Sequence, residues 1–469
     1  MKNTNNIKMS SGALIPQIIA FAIPLVLSGV LQLLFNAADI VVVGQFSGYQ
    51  SMAAVGATAA LANLIFNLFI GLSVGVSVLV AQYYGAENDE GVSKTVHTAI
   101  VLSVICGIIV AAGGFFLARP MLGAMDTPDE ILDLAVLYIK IYFLGAPVSL
   151  LYNFGAAILR AVGNTKQPLY YLVVAGVLNV ILNLFFVIVL KMDVAGVACA
   201  TVISQTLSAA LVVRRLMREE NSLKLVLSKL GIDGSKLKRI LAIGIPAGIS
   251  SMTFSISNII IQSSLNSFDN AIIVAGSTAA SSLEGFIFAA MTAFDQASLT
   301  FTGQNVGAGT YHRIRKVIWD CTGLVTVVAV LMGVGAILLD TELLALYNPD
   351  PVVIEYGKIR LFIIAGSYFL CGIMNVLVGV LRGMGSVMIP TVLVALGTIG
   401  VRFVWIYTAF AQSFDRYSAL MTQQAQTESL QVLFLSYPVS WTFIVIALIP
   451  YLIYRMKKLT SAPKESILQ

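Results

Sequence analysis

The sequence predicts an all-α integral membrane protein with twelve transmembrane helices, arranged as two pseudo-symmetric six-helix bundles with a central cavity. An apolar composition, long apolar runs and an internal repeat predict this class. Of the 469 residues, 58% are hydrophobic and 11% are charged, and the mean hydropathy is +0.90. Soluble domains carry about 25% charged residues, and disordered chains are rich in charge. The composition therefore excludes soluble and disordered proteins, and we expect no nucleic-acid partner.

The apolar runs define the helices in order. A hydrocarbon core of about 30 Å requires roughly 20 apolar residues per helix, and continuous rather than alternating runs favour helices over a β-barrel. The first-half runs lie near 14–43, 52–82, 96–118, 131–160, 169–190 and 195–213. The second-half runs lie near 238–265, 271–303, 316–339, 354–381, 390–411 and 432–455. The polar, glutamine-rich segment 412–431 is predicted to be an outer loop.

The distribution of charge predicts the orientation. Most of the 28 Lys and Arg residues flank the runs on the side of the two termini, whereas acidic residues cluster in opposite-side loops. Basic residues mark the cytoplasmic side, so both termini should be cytoplasmic in a multi-pass protein of the cell membrane. The predicted parts are a cytoplasmic N-terminus (1–13), a first bundle (14–213), a cytoplasmic linker (214–237), a second bundle (238–455) and a cytoplasmic tail (456–469).

An internal repeat relates the two halves. The segment 159–163 (Leu-Arg-Ala-Val-Gly) recurs as 381–385 (Leu-Arg-Gly-Met-Gly). Further pairs keep the same separation: Pro24 with Pro246, Asn36 with Asn258, Gln82 with Gln304 and Asn153 with Asn375. Because each half has an even number of helices, the repeats are parallel, as in some secondary transporters. Pro24 and Pro246 should bend the first and seventh helices.

No enzyme or cofactor signature accompanies the repeat. The chain contains no GxxxxGK[ST] phosphate-binding loop, no HExxH motif and no catalytic Ser/His/Asp set. Four cysteines and two histidines have no metal-ligand spacing. We therefore predict neither an enzyme nor a cofactor-binding protein.

The repeated motifs resemble those of the multidrug and toxic compound extrusion (MATE) family. The resemblance rests on the proline-bearing first and seventh helices, the paired Gln-x-x-Gly-Ala at 82–86 and 304–308, and the paired Leu-Arg-x-x-Gly. It covers roughly residues 14–455. It implies two bundles around a V-shaped cavity, and the export of organic cations or amphipathic drugs in exchange for H⁺ or Na⁺. A monomer in the lipid bilayer is the expected state.

Asp39 is the leading candidate among the carboxylates inside apolar runs, which are costly in the membrane and functional by default. Gln32 and Asn36 precede it by two and one helical turns, giving one polar stripe. The resemblance implies that Asp39, Asn179, Asn183 and Thr201 form a cation site in the N-terminal half. A proton, a sodium ion or a cationic substrate would compete for that carboxylate, and the sequence leaves H⁺ and Na⁺ open. No other metal is predicted.

One residue of this set departs from the family pattern. The position of Asn183 is often aspartate in the family, so this chain keeps one ionisable group where others have two. The acids that NorM-like members carry in helices 7 and 10 are also missing. The chain should therefore resemble members with an N-terminal-half cation site more closely than the NorM-like branch.

The second half offers weaker candidates. Glu284 is a candidate for binding the substrate or for coupling transport to the ion. Alternatively, it forms a buried ion pair with a partner such as Arg402. Asp295 is evenly balanced between function and structural pairing.

A lipid-linked saccharide flippase of the same broader superfamily is the alternative function. Its expected fourteen helices and cationic cavity do not fit twelve helices and acidic candidates. A membrane receptor or scaffold without transport is an alternative from a different class, and the duplicated bundles disfavour a passive channel.

Overall fold

The computed structural model describes residues 9–125 and 127–461, and these residues are helical almost throughout. The predicted termini 1–13 and 456–469 lie partly outside the described residues. The first half contains α1 (Leu14–Phe46), α2 (Tyr49–Gly85), α3 (Asp89–Ala124), α4 (Asp129–Leu144), α5 (Ala146–Ala161), α6 (Lys166–Leu184) and α7 (Asp193–Met217). The second half contains α8 (Gly234–Asn266), α9 (Ala271–Gly307), α10 (Tyr311–Leu338), α11 (Asp340–Ala345), α12 (Pro351–Gly383), α13 (Met388–Ala395), α14 (Arg402–Trp405), α15 (Ala411–Leu420) and α16 (Gln423–Ser461).

The predicted number of membrane spans agrees with these helices. Across the described part of the chain, 11 helical segments are long and apolar enough to cross a membrane, and α4 with α5 makes up to 12 if this bent pair is one span. The pair is bent by 48°. Pro147 stands in the first turn of α5, where its ring removes a backbone donor and prevents a straight continuation of α4. The all-α membrane fold class is confirmed.

The described residues form two compact units. The first contains residues 9–10 and 23–248, and the second contains 11–22 and 249–461. The division thus falls inside α1 and α8, beside the paired Pro24 and Pro246. Within the second unit, Phe21 of α1 packs edge-on against Phe301 of α9, with ring centroids 5.8 Å apart.

Glycines allow a close helix crossing in the first unit. A Cβ atom at Gly71 of α2 would overlap the backbone of Gly248 in α8, and one at Gly75 would overlap the carbonyl of Ile240. Small residues let backbones approach in this way where side chains would keep helices apart. The N-terminal part of α8 is thereby fixed against α2.

The repeat extends to irregular helix turns. A π-helical turn, Phe185–Val189, follows α6, and another, Ile406–Phe410, follows α14. The second half has an additional π turn at Leu396–Val401, directly before Arg402. Such turns commonly mark functional positions in helices.

The prediction of a loop at 412–431 is wrong. Helix α15 ends at Leu420, Met421 turns the chain with a φ of 52°, and α16 begins at Gln423. The polar composition misled the prediction, because aromatic residues recur at helical spacing and bury one face. Phe414 packs edge-on against Phe268 at 5.1 Å between ring centroids, and Tyr417 lies 5.6 Å from the same ring.

Candidate functional site

The structure brings Asp39, Asn179, Asn183 and Thr201 into one hydrogen-bonded cluster in the first unit. The Asn183 amide donates to the Asp39 carboxylate, and also to the Asn179 side-chain oxygen at 3.3 Å. The Asn179 amide donates in turn to the Thr201 hydroxyl oxygen at 3.3 Å. Three side chains from α6 and α7 therefore form a hydrogen-bonded cluster with the Asp39 carboxylate of α1.

Local geometry explains how these helices present their polar groups together. Asn179 and Asn183 are one turn apart and share a face of α6. A Cβ atom at Gly176, one turn before Asn179, would overlap the Phe35 ring of α1. Gly176 therefore permits the close crossing of α1 and α6 that places Asp39 beside Asn183. Sequence reasoning missed this glycine, because a glycine in an apolar helix gives no signal of which helix it meets.

Thr201 has one hydroxyl hydrogen and two acceptors within reach. It donates to the Val197 carbonyl at 3.0 Å, and it also lies close enough to hydrogen-bond the Asp39 carboxylate. Since one hydrogen cannot serve both acceptors fully, the Thr201 hydroxyl can respond to a change of charge on Asp39 by rotation alone.

The cluster is largely buried and is packed against apolar side chains. Asn183 is 0% exposed and Asn179 is 5% exposed. Val42 and Val43 of α1 and Val197 of α7, each about one helical turn from Asp39 or Thr201, belong to one buried apolar core. In such a setting a carboxylate loses its hydration, so its charge must be balanced by hydrogen bonds or by a cation.

Asp39 has no fixed cationic partner within the described ranges. No lysine, arginine or histidine there forms an ion pair with it, whereas Glu284 and Asp295 each have an arginine. The side-chain oxygen of Asn183 is buried and accepts no hydrogen bond. An unused acceptor beside an unpaired carboxylate leaves a position that a positively charged group would complete.

Gln32 and Asn36 are not part of this cluster. Both side chains are exposed, and the structure gives neither a hydrogen bond to the four clustered residues. They continue the polar face of α1 away from Asp39.

Glu284 forms a buried, bidentate ion pair with Arg360 of α12. The guanidinium Nε and Nη2 atoms each donate to a different carboxylate oxygen at 2.8 Å, and Nη1 donates to the Ser277 hydroxyl at 3.0 Å. Arg402, named from the sequence as an example of a partner, is therefore the wrong arginine. Arg360 was detectable as a basic residue inside the apolar run 354–381. Its pairing with Glu284 depends on how α9 and α12 are aligned.

Arg402 is instead held by neutral groups. It is 1% exposed, and it donates to the hydroxyls of Ser440 at 3.1 Å and Ser257 at 2.9 Å. Its guanidinium carbon lies 4.0 Å from the centroid of the Tyr437 ring. Hydroxyls and a ring face thus replace a carboxylate partner.

Asp295 forms a looser pair. Its Oδ2 atom lies 3.6 Å from Nη1 of Arg382, one of the two repeated arginines, and its Oδ1 atom is buried without a hydrogen bond. The carboxylate is thus near its counter-charge but incompletely satisfied.

The two prolines predicted to bend helices both lie inside long helices, Pro24 in α1 and Pro246 in α8. Each lies within three residues of the boundary between the two units. Asp39, Asn179, Asn183 and Thr201 all follow Pro24 in the sequence.

Comparison with known proteins agrees with the fold and the repeat. The family model described as MatE matches residues 24–185 and 246–408, and these two matches begin with the paired Pro24 and Pro246. The chain is 27% identical over 381 residues to the Probable multidrug resistance protein YoeA of Bacillus subtilis, covering 80% of this chain and 82% of that protein. It is 24% identical over 357 residues to the FAD transporter of Shewanella oneidensis, covering 74% and 77%.

A solved structure has the same fold. The MOP superfamily transporter from Pyrococcus furiosus superimposes with a TM-score of 0.88 at 21% sequence identity, covering 98% of this chain and 100% of that one. The family model covers more than half of the sequence, in two copies at the repeat spacing. The chain therefore belongs to the MATE family of membrane transporters.

Proposed function

We propose that the chain is a secondary active antiporter that exports organic, mostly cationic or amphipathic compounds in exchange for H⁺ or Na⁺, with Asp39 as the coupling carboxylate. It would act as a monomer in the cell membrane, with both termini in the cytoplasm. The cluster of Asp39, Asn179, Asn183 and Thr201 would hold the coupling ion, and the chain would belong with members that carry an N-terminal-half cation site.

One observation carries the proposal: within the described residues, the Asp39 carboxylate is packed against apolar side chains, and its hydrogen-bond partners are all neutral. A permanent counter-charge would lock such a group in one state, as Arg360 does for Glu284. Asp39 can instead exchange one cation for another. Antiport requires this competition, since the coupling ion and a cationic substrate must not occupy the same negative charge together.

The unused Asn183 oxygen suggests how a proton would bind. The Asn183 amide already donates to one oxygen of Asp39. A proton on the other carboxylate oxygen could donate to the Asn183 side-chain oxygen, which accepts nothing in the unprotonated arrangement. A carboxylic acid and a carboxamide would then form a closed pair with two hydrogen bonds. This geometry favours H⁺ as the first coupling ion to test.

Sodium is the second candidate, because the same oxygens are hard ligands. Asp39, Asn179, Asn183 and Thr201 supply side-chain oxygens, and the Val197 carbonyl lies next to Thr201. Binding Na⁺ would require Asn183 to turn its oxygen rather than its nitrogen toward the ion. That rotation would break two present hydrogen bonds.

The relatives do not favour the flippase alternative. The relative from Bacillus subtilis carries a multidrug resistance name. The relative from Shewanella oneidensis is named as an FAD transporter, so export of a large anionic nucleotide is an outcome the transport test must include.

Dye efflux from reconstituted vesicles tests the proposal. A proton gradient and a sodium gradient are applied separately, and export of a fluorescent cationic dye is compared for the native chain and Asp39→Asn. We expect gradient-driven export to fall by at least about tenfold in Asp39→Asn, since the variant keeps the shape of the side chain but removes the exchangeable charge.

Asp415→Asn is the matched control, because Asp415 is an exposed carboxylate of α15 and its loss changes the net charge equally. Native export by Asp39→Asn under both gradients would refute the assignment of Asp39. Failure of the native chain to export cationic dye under either gradient, with export of FAD instead, would refute the cationic substrate class.

A further inference from the structure

The connection between α7 and α8 is hydrogen-bonded to α3 of the first unit. We call residues 218–233 the connecting strap. The backbone N–H of Val226 donates to Nε2 of His97 at 3.1 Å, and the N–H of Asp233 donates to the Thr98 hydroxyl at 3.0 Å. Leu223 and Leu225 are 0% and 2% exposed, so they anchor the strap by burial as well.

These anchors set the depth of the strap along a membrane-spanning helix. His97 and Thr98 lie in the third turn of α3, which begins at Asp89. At 1.5 Å per residue, they are about 12 Å from the start of that helix. Both ends of the strap lead directly into further spanning helices. The strap is therefore held beside the first three turns of α3 and between the ends of α7 and α8.

The outer face of the strap combines aliphatic and basic side chains. Leu227 is 59% exposed, Ile232 is 46% exposed and Leu230 is 40% exposed. Lys224 and Lys229 of the strap are also exposed. Lys238, in the first turns of α8, extends the basic edge.

Two of the three acidic residues of the strap, Glu219 and Asp233, form contacts with neighbouring residues. Glu219 is 2% exposed, and its carboxylate lies 2.6 Å from the Arg215 guanidinium. The Asp233 carboxylate accepts hydrogen bonds from Ser235 and from the backbone of Lys236, and so caps α8. Glu220 remains exposed. The net charge of the outer face is positive.

We propose that this outer face of the connecting strap is a binding surface for anionic phospholipids. The aliphatic side chains would enter the boundary between headgroups and acyl chains, as the apolar faces of interfacial helices do. The lysines would bind headgroup phosphates, and each basic residue near an anionic surface strengthens binding by about fivefold. The surface is separate from the cluster around Asp39, and lipid binding there does not depend on the proposed transport function.

Lipid quenching of a probe on the strap tests the proposal without measuring transport. Ser228 is exposed between Leu227 and Lys229, so Ser228→Cys labelled with an environment-sensitive fluorophore reports on this face. The unsubstituted chain, labelled in parallel, gives the background from its own cysteines. In vesicles, brominated phosphatidylglycerol should quench the probe at least about twofold more strongly than brominated phosphatidylcholine at equal mole fraction.

Two variants separate the roles of charge and apolar contact. Lys224→Gln/Lys229→Gln/Lys238→Gln should make the two lipids quench equally, and Leu227→Ser/Leu230→Ser/Ile232→Ser should weaken quenching by both. Lys457→Gln/Lys458→Gln, which removes exposed charge from the end of α16, should leave the twofold preference intact. Equal quenching by both lipids in labelled Ser228→Cys with no other substitution would overturn the proposal. Quenching by aqueous iodide but not by either lipid would also overturn it, and would indicate a surface for a soluble partner.

Discussion

Asp39 in the first unit and Glu284 in the second are both carboxylates inside apolar helices, yet their surroundings are opposite. Glu284 forms a bidentate ion pair with Arg360 through two hydrogen bonds of 2.8 Å. Asp39 is contacted by the amide of Asn183 and the hydroxyl of Thr201. A permanent counter-charge holds the Glu284 carboxylate in one state, whereas neutral partners would leave the Asp39 charge available to an exchangeable cation, as we propose. Residue type alone does not distinguish these two roles.

The largest effect should come from breaking the Glu284 pair. Glu284→Gln leaves Arg360 charged and buried without its partner, so we expect a loss of about 3–5 kcal/mol in the free energy of unfolding. Asp39→Asn should cost much less, because no buried cation is left behind. Thermal unfolding in detergent measures both. Equal destabilisation by the two variants would contradict the distinction between them.

Arg402 provides an intermediate case, since its charge is buried without a carboxylate. Arg402→Met removes two hydrogen bonds to serines and the contact with the Tyr437 ring, and it also removes a costly buried charge. We expect a net loss of about 1–2 kcal/mol, measured by the same unfolding assay. Arg416→Met is the control, because Arg416 forms an exposed pair with Glu428 at 3.7 Å. A larger loss for Arg416→Met would show that burial does not control these energies.

Adding a second carboxylate beside Asp39 tests the opposite case to Glu284, because the buried carboxylate then has a like charge as its neighbour instead of a counter-charge. Asn183→Asp places two acidic groups in contact among apolar side chains, where both cannot ionise cheaply. We expect this variant to be less stable than the native chain at pH 8, by about 1–2 kcal/mol. The deficit should shrink at pH 5, where one carboxyl group can be protonated. A deficit independent of pH would argue against direct carboxylate contact.

Asp233 should show the smallest effect, as a carboxylate with neither a buried counter-charge nor apolar surroundings. The Ser235 hydroxyl, followed by the Lys236 backbone N–H, binds its charged form and lowers its pKa below the ordinary 3.8. The resulting stabilisation is complete above that ordinary value and is lost as pH falls through the lowered pKa of the folded state. Asp233→Asn should therefore lower the melting temperature slightly at pH 7, and the difference should shrink as the pH falls below 3.8. A difference that does not shrink on acidification would contradict this origin.

Helix α15 and the π turn before it show where the composition of a segment was an insufficient guide to its structure. Segment 412–431 is polar in composition, so it was predicted as a loop, but Phe410, Phe414 and Tyr417 pack around Phe268 and stabilise a helix. The polar face of that helix dominated its composition. The spacing of its aromatic residues was the better signal, because helical side chains three and four positions apart share a face.

The sequence by itself determined the membrane class, the span count and the duplication, because a bilayer requires long apolar helices and a repeat is read directly from residue spacing. It also indicated Asp39, since a carboxylate in an apolar run has few explanations. Only the tertiary structure decided that Arg360 pairs with Glu284 while Arg402 does not. It alone revealed that Gly176 lets α1 approach α6 and that the Asn183 oxygen accepts no hydrogen bond. The physical reason is that pairing and burial depend on the rotation and sliding of one helix against another, and helices far apart in sequence give no local signal of either.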